Sequence, residues 1–302
     1  MENSCYFVCS RGILKSCNFH SPNPKSSCNN DFKYLYDMLK SNKMFNGMTI
    51  YICSDLLRFF VNKILPNLIH TFVLVSGDSD MCVPKEALLK QEALALLSSN
   101  LLIKWYTQNS RVEKNNKIIQ MPIGLDYHTI LRYPNCTWRL PEEGTLPKEQ
   151  EKILINIIKE AVPFFERTPK IYSHFTVSND RFDQRQIALD NIPSELLEIN
   201  TNVIPRTKTW KNMINYTFVL CPAGMGLDCH RTWEALCLGC IPIVCVKEFK
   251  TLFNDLPVLI VDDWSKVTKE LLENTINDFK NRTFNKEKIT LKYWVKNMNF
   301  LF

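Results

Sequence analysis

The feature that most constrains the fold is the alternation of short, β-rich apolar runs with stretches of helical periodicity along the chain. This alternation is typical of βαβ units, in which crossover helices connect the parallel strands of a sheet. We therefore predict an α/β protein. In the first half, the predicted strands are residues 5–9, 48–52, 70–75, 101–106 and 117–121, and the predicted helices are 30–40, 56–65 and 85–97.

A cluster of prolines, a glycine and acidic residues over positions 133–148 interrupts the alternation and is typical of a linker. We therefore predict an N-terminal Rossmann-like domain over 1–148 and a C-terminal one over 149–302, with the last helix packing back on the N-terminal domain. In the second half, the predicted strands are 170–176, 198–203, 217–221, 241–246 and 258–261, and the predicted helices are 149–165, 180–189, 208–215, 230–238, 266–281 and 286–298. Substrates of such proteins lie at the carboxyl ends of the strands, so we expect a site in a cleft between two facing domains.

Charge and hydropathy exclude several classes of protein. The 37 Lys and Arg residues against 31 Asp and Glu give a net charge of +6 without long runs of one sign, which disfavours a nucleic-acid partner and suits a phosphate-bearing substrate. No run approaches the roughly 18 apolar residues of a membrane span. The twelve cysteines are scattered, as in a reducing compartment. We therefore expect a soluble, cytoplasmic protein without a membrane span.

The stretch 218–244 concentrates glycine in a chain that has only eight, with Gly224, Gly226 and Gly239 among its residues. It reads as an apolar strand, a turn, a helix that opens near Asp228, and a second strand. Gly224 and Gly226 allow positive φ and a close approach of the backbone to a ligand. The free N–H groups at the start of the helix would attract an anion in the turn.

Two charged residues on the first turns of this helix extend the same interpretation. Arg231 can bind phosphate oxygens through its fork of donors, and Glu234, one turn further on, suits ribose hydroxyls. The pattern predicts a nucleoside-diphosphate site, although Cys229 occupies the third glycine position of a dinucleotide motif. The alternative is an ordinary turn with Asp228 as the helix cap and Arg231 and Glu234 as an exposed pair.

The same stretch resembles the C-terminal signature of exostosin-type glycosyltransferases (glycosyltransferase family 47). The shared positions are Pro222, Gly224, Arg231, Glu234, Ala235, Gly239, Cys240, Ile241 and Pro242. The compact exostosin-like proteins of algae and large DNA viruses are more similar still, because they also resemble this chain at 76–80, 105–109, 122–129 and 293–294. The longer metazoan relatives differ, since they carry a membrane anchor and a serine in place of His230.

The resemblance implies a GT-B architecture with the donor nucleotide held by the C-terminal domain and the acceptor by the N-terminal one. It implies that Arg231, near His230, binds the donor diphosphate and that Glu234 binds the ribose. A second diphosphate-binding arginine would be Arg185, with Arg181 as the alternative. UDP-sugars are the family's usual donors, and the acceptor would be a hydroxyl group of a glycan, a glycoprotein or a small molecule.

The resemblance further implies inversion at the anomeric carbon, for which a carboxylate or histidine takes the acceptor's proton. Asp78, Asp80, Asp126 and His128 follow predicted strands of the first half, and we favour Asp126 because a turn would project it into the cleft. No metal cofactor is then required. One alternative is a GT-A-like enzyme in which Asp78 and Asp80 bind Mn²⁺ or Mg²⁺, and another is a nucleotide-sugar-binding protein without turnover.

Overall fold

The computed structural model describes residues 1–112, 115–132 and 145–299. Its first sheet has four parallel strands in the order β1-β2-β3-β4. Both faces of β1 and β2 are buried, which explains why these strands read as nearly continuous apolar runs. The strands are β1 (Met48–Cys53), β2 (Phe72–Gly77), β3 (Leu102–Thr107) and β4 (Ile118–Gln120).

The second sheet has five parallel strands in the order β6-β5-β7-β8-β9. The α/β class and the arrangement of two parallel sheets with a cleft between them, as in a GT-B protein, are therefore confirmed. The strands are β5 (Thr168–Ser173), β6 (Leu197–Ile199), β7 (Tyr216–Leu220), β8 (Ile241–Val244) and β9 (Leu259–Ile260).

Helices connect the strands and cover the sheets. Within the described residues these are α1 (Ser10–Lys15), α2 (Lys33–Lys40), α3 (Leu57–Phe59), α4 (Lys90–Ser98), α5 (His128–Arg132), α6 (Pro147–Glu160), α7 (Gln184–Asn191), α8 (Arg206–Met213), α9 (His230–Cys237), α10 (Lys250–Phe253), α11 (Lys269–Lys280) and α12 (Leu291–Met298). Helix α3 continues into a π-helical turn, Phe60–Ile64.

Several local predictions were wrong. The helices predicted over 180–189 and 286–298 begin only at Gln184 and Leu291, and two further differences have clear physical reasons. Residues 5–9 form isolated bridges at Phe7 and Cys9 instead of a strand, because their backbone pairs with Thr290 and with the turn at Gly124, both distant in sequence. The helix predicted over 85–97 begins only at Lys90, because the residues before it form turns after the bridge at Val83.

The end of the chain packs on its beginning. Helix α12 contacts α1, Leu291 N donates to the carbonyl of Tyr6 (2.9 Å), and Val8 N donates to the carbonyl of Ile289 (3.0 Å). One hydrophobic cluster includes Val75 on β2, Val219 on β7 and Trp233 on α9, so the two sheets share a core. Most of the predicted linker, residues 133–144, lies outside the described residues, and Lys148 lies in the first turn of α6.

No helix in the described part of the chain is both long enough and apolar enough to cross a membrane.

Candidate functional site

A cleft of about 790 Å³ lies between the two sheets, and residues of both sheets line it. Asp80 follows β2, His174 follows β5, and the glycine turn follows β7, so the cleft lies at the carboxyl ends of the strands. This is the position at which α/β proteins bind ligands. It brings together most of the predicted site residues, namely Asp80, Asp126, Arg185, Gly224, Gly226, Asp228, His230, Arg231 and Glu234. Asp78, His128 and Arg181 do not line it.

Two arginines from different elements meet over one aromatic ring. The guanidinium carbons of Arg185 on α7 and Arg231 on α9 lie 5.5 Å and 5.2 Å from the centre of the Phe175 ring. Arg231 Nε donates to the carbonyl of His174 (3.2 Å), and Arg185 Nη1 donates to that of Thr176 (2.5 Å). Neither arginine has a carboxylate within ion-pair distance in the described chain.

The environment of Arg185 is unfavourable for its charge. Its side chain is buried, and its Nε has no hydrogen-bond partner in the part of the chain that the structure describes. Burial, and secondly the charge of Arg231, lower the pKa of Arg185. Two neighbouring, partly buried cations that no described carboxylate pairs with favour the binding of an anion between them.

Gly224 and Gly226 lack side chains where the side chains of Arg185 and Asp80 come close to the backbone. A Cβ at Gly224 would lie 2.3 Å from Arg185 Nη2, and one at Gly226 would lie 3.1 Å from Asp80 Oδ1. Neither glycine has positive φ, in contrast to Gly124 and Gly239. The prediction that these glycines supply left-handed backbone was therefore wrong. They allow a close approach instead, and the groups that approach are side chains of this protein.

Helix α9 presents its N-terminus and a buried carboxylate to the cleft. No side chain caps the helix at Cys229, so N–H groups of its first turn remain open to a ligand. Glu234 is only 8% exposed, lines the cleft, and makes no side-chain hydrogen bond or ion pair with the described residues. The alternative of an exposed Arg231–Glu234 pair therefore does not describe this helix. A buried carboxylate of this kind gains from hydroxyl donors on a ligand.

Asp228 connects the glycine turn to the first sheet's side of the cleft. Its Oδ2 accepts from Ile123 N (2.8 Å) and from Trp233 Nε1 (2.9 Å), and its own N–H donates to Asn109 Oδ1 (2.9 Å). Its side chain is 4% exposed, and burial raises its pKa to about 6. Asp228 thus links the two sides of the cleft through hydrogen bonds. Its carboxylate does not cap α9, in contrast to the alternative interpretation of the sequence.

His230 opens α9 and is fixed by the opposite side of the cleft. Its Nδ1 lies 2.7 Å from the carbonyl oxygen of Gly124. Because a carbonyl only accepts, Nδ1 carries the proton, and Nε2 is the acceptor in the neutral ring. The ring of His128 lies edge-on, with the centroids 6.3 Å apart.

The four candidate bases have different surroundings. Asp78 forms an ion pair with Arg11 (3.1 Å) in which both side chains are buried, away from the cleft. Asp126 lines the cleft, but its Oδ1 accepts from Thr129 N (2.9 Å) and lies 3.3 Å from His128 Nδ1. Burial lowers the pKa of His128, although the charge of Asp126 opposes this shift. Asp126 and His128 are thus engaged with each other at the start of α5.

The carboxylate of Asp80 is the least engaged of the four. It lines the cleft beside Gly226 and makes no side-chain hydrogen bond in the described chain. The residue as a whole is exposed, but partial desolvation of its carboxylate raises its pKa, and the charges of His230 and Arg181 oppose the shift. A carboxylate with a raised pKa that faces a cleft is suited to accept a proton.

Arg181 has a different role from Arg185. It lies at the surface, where its Nη2 pairs with Glu86 Oε1 (2.7 Å) and its Nη1 donates to the carbonyl of Asp80 (3.2 Å). These contacts connect the residues just before α7 to the residues that follow β2. Arg185, and not Arg181, lines the cleft.

Sequence reasoning missed several lining residues. His174 and Phe175 directly follow β5, so the rule that strand ends line such sites could have found them. Arg206, the first residue of α8, donates to the carbonyl of Asp126 (2.5 Å) and lies over the Trp210 ring at 4.5 Å. Nothing local in the sequence indicates that contact, because its partners are 80 residues apart.

The described residues contain no group of three or more His, Cys, Asp or Glu side chains arranged to hold a metal ion. The carboxylates of Asp78 and Asp80 do not line the same cavity, since that of Asp78 pairs with Arg11.

No family model matches the chain. Among solved structures, it is similar to an alpha1,3-fucosyltransferase crystallised with GDP-fucose, with 14% identity, coverage of 86% of this chain and 82% of that one, and a TM-score of 0.35. A second alpha1,3-fucosyltransferase structure has 13% identity, the same coverages and a TM-score of 0.32. At these values the similarity concerns the general fold alone. The exostosin resemblance rests on the motifs in the sequence.

Proposed function

We propose that the chain is a glycosyltransferase that moves a sugar from a nucleoside-diphosphate sugar to a hydroxyl group of an acceptor. The observation that carries the proposal is the pair of Arg185 and Arg231, without a carboxylate partner, at the uncapped start of α9. Glu234 lies one turn further along the same helix, and its side chain has no hydrogen-bond partner among the described residues. In a nucleoside diphosphate the ribose adjoins the diphosphate. Arg185 and Arg231 would bind the diphosphate, and Glu234, one helical turn away, would bind the ribose.

The donor's diphosphate would lie between the two guanidinium groups and the first N–H groups of α9. Both the arginines and the helix N-terminus stabilise negative charge, which grows on the leaving diphosphate as the bond to the sugar breaks. Glu234 would accept hydrogen bonds from the ribose hydroxyls. Since positive protein groups can stabilise the leaving group, we propose that transfer needs no metal ion.

We propose Asp80 as the general base. In this step the acceptor hydroxyl gives its proton to the Asp80 carboxylate, its oxygen forms the bond to the anomeric carbon, and the nucleoside diphosphate leaves from the opposite face with inversion. Asp80 is preferred to Asp126 because the Asp126 carboxylate already accepts from Thr129 N. His230 lines the same cleft as Asp80 and adds a second polar group to this surface.

The first test is thermal stability with nucleotides. Purified wild type would be melted with UDP, GDP, CMP, ADP and their common sugars, beside Arg231→Ala and Glu234→Ala and the matched surface controls Arg282→Ala and Glu195→Ala. At a hundredfold excess over Kd, a ligand adds about 2.7 kcal/mol of stability. We expect one nucleoside diphosphate to raise the Tm of wild type and of both control variants. The same nucleotide should raise the Tm of Arg231→Ala and Glu234→Ala much less. A panel without any shift would contradict the donor site. UDP is our default base from the resemblance.

The second test separates an enzyme from a binding protein. Asp80→Asn should keep the nucleotide-induced rise in Tm and lose about 10²–10⁴-fold in the rate of transfer to an acceptor sugar. Because partial desolvation raises the pKa of Asp80, the acid limb of the pH profile should lie above the ordinary value of 3.8. Nucleotide binding without transfer to any glycan, glycoprotein or small-molecule hydroxyl would favour the inactive alternative. Loss of activity in EDTA would favour the metal-dependent one.

A further inference from the structure

A second cavity of about 650 Å³ lies apart from the cleft and shares no lining residue with it. One side consists of β3, the edge strand β4 and the residues just before β4. The other consists of α10 and the C-terminal helix α12.

Three aromatic side chains form a wall of this cavity. Tyr293 and Trp294 are in edge contact with ring centroids 5.3 Å apart, and Tyr106 lines the same space. Two of the rings are held by hydrogen bonds, because Trp294 Nε1 donates to the carbonyl of Lys288 (2.8 Å) and the Tyr106 hydroxyl donates to that of Asn297 (2.8 Å). Tyr106 and Trp294 are only 6% and 5% exposed, so they are a fixed backing, and the half-buried ring of Tyr293 gives the wall its exposed aromatic face.

Polar groups with unused hydrogen-bonding capacity face the same cavity. Gln120 Nε2 is shielded from solvent and has no hydrogen-bond partner. Asn297 donates through Nδ2 to the carbonyl of Tyr293 (2.7 Å), which leaves its Oδ1 as an acceptor. The half-buried Tyr293 hydroxyl has no partner in the described chain. A donor without a partner is costly when buried, so we expect the Gln120 amide to turn toward the cavity and donate to a ligand or an ordered water there.

The charge of the cavity argues against a phosphate ligand. Lys288 is the cation among its described lining residues, and its ammonium already donates to the carbonyl of Asn254 (2.5 Å). Neither an arginine nor a carboxylate lines the cavity within the described chain. The ligand that fits must therefore be close to neutral.

We propose that this cavity is a second carbohydrate site, which binds a neutral sugar ring of a glycan. The ring's C–H face would lie against Tyr293, which Trp294 and Tyr106 back, and its hydroxyls would bond to the amides of Gln120 and Asn297 and to the Tyr293 hydroxyl. Aromatic surface with a few convergent polar groups is the usual composition of small-ligand sites, and amides both donate to and accept from hydroxyls. The site does not depend on the proposed transfer reaction.

The test uses four neutral probes, cellotetraose, chitotetraose, xylotetraose and maltotetraose, and measures their binding to the full chain by saturation-transfer NMR and titration. We expect at least one to bind wild type. Its affinity should fall about tenfold in Tyr293→Ala, which removes a ring, and in Gln120→Leu, which removes the amide at similar size. Tyr36→Ala, which removes a tyrosine exposed on α2, should bind as wild type does.

The donor-site variant Glu234→Ala separates this proposal from the proposed function. Retained tetrasaccharide binding in Glu234→Ala would support a separate site, whereas loss there with retention in Tyr293→Ala and Gln120→Leu would place the sugar in the cleft and overturn the proposal. Absence of binding by all four probes would also overturn it. If Tyr293→Ala does not fold, Gln120→Leu decides alone.

Discussion

At the scale of single residues, Gly224 shows how a missing side chain can serve a site indirectly. Its backbone passes so close to Arg185 that a methyl group there would overlap the guanidinium. The obstructed group is the far end of a flexible side chain, which can move at little cost. Substitution should therefore affect the position of a cation more than the stability of the fold.

We predict that Gly224→Ala keeps the Tm of the free protein within about 2 °C and weakens nucleoside-diphosphate binding by about tenfold, because Arg185 is displaced from the cleft. Gly226→Ala should have a smaller effect, because a Cβ there would lie 3.1 Å from its nearest atoms, whereas a Cβ at Gly224 would lie 2.3 Å from Arg185 Nη2. Isothermal titration of both variants measures the effect. Equal affinity in Gly224→Ala and wild type would show that Arg185 does not contact the ligand.

Asp228 gives a pH-dependent prediction at the same scale. Since burial raises its pKa from 3.8 to about 6, the folded chain holds this proton more tightly than the unfolded chain does. The group therefore lowers the free energy of unfolding as the pH rises from about 4 to 6, by about 3 kcal/mol in all. Asp228→Asn cannot ionise, so its stability relative to wild type should rise by that amount over this range.

Urea unfolding at several pH values between 4 and 7 checks this, with Asp37→Asn on the exposed side of α2 as the control. If the free energies of unfolding of wild type and Asp228→Asn change in parallel with pH, the prediction is contradicted. The hydrogen bonds to the Asp228 carboxylate would then offset the cost of burying its charge.

At the scale of elements, α7 and the residues just before it separate two arginines that look equivalent in the sequence. Arg181, before α7, faces the surface and pairs with Glu86, whereas Arg185, four residues later and within α7, lines the cleft. We predict that Arg185→Ala weakens nucleoside-diphosphate binding at least tenfold and that Arg181→Ala changes it less than twofold, because partly exposed ion pairs contribute little. Titration of both variants with the same nucleotide measures the difference, and similar losses would contradict the assignment.

Periodicity in the sequence predicts the elements that local packing determines. Buried strands such as β1 and β2 and the strand–turn–helix around Gly224 were predictable, because their apolar runs and turn residues are local signals. Residues 5–9 were not, since their pairing with Thr290 depends on a contact across the whole chain. The residues of the candidate site likewise include some that local signals predict and others that depend on tertiary contacts. Motif residues on α9 were found, but the engagement of Asp78 by Arg11 and of Asp126 by α5 depends on tertiary contacts.

At the scale of the whole molecule, the shared core and the position of α12 couple the two sheets. Trp294 is almost fully buried between α12 and the rest of the chain. We predict that Trp294→Ala lowers the free energy of unfolding by about 3–5 kcal/mol and that the protein still unfolds in a single step. Tyr36→Ala should change it far less. Circular dichroism and tryptophan fluorescence in urea measure the transition, and two separate steps would show that the sheets unfold independently.

The packing of α12 on α1 also has a consequence for synthesis on the ribosome. Every strand of the first sheet has been translated by residue 120, yet the residues that pair with Tyr6 and Val8 and pack on α1 are 289–298. At about 5–20 residues per second, a nascent chain spends on the order of 10–35 s with the apolar residues around α1 uncovered by α12. Chaperones that recognise exposed hydrophobic segments would meet this protein during that interval, and release of the last helix would end it.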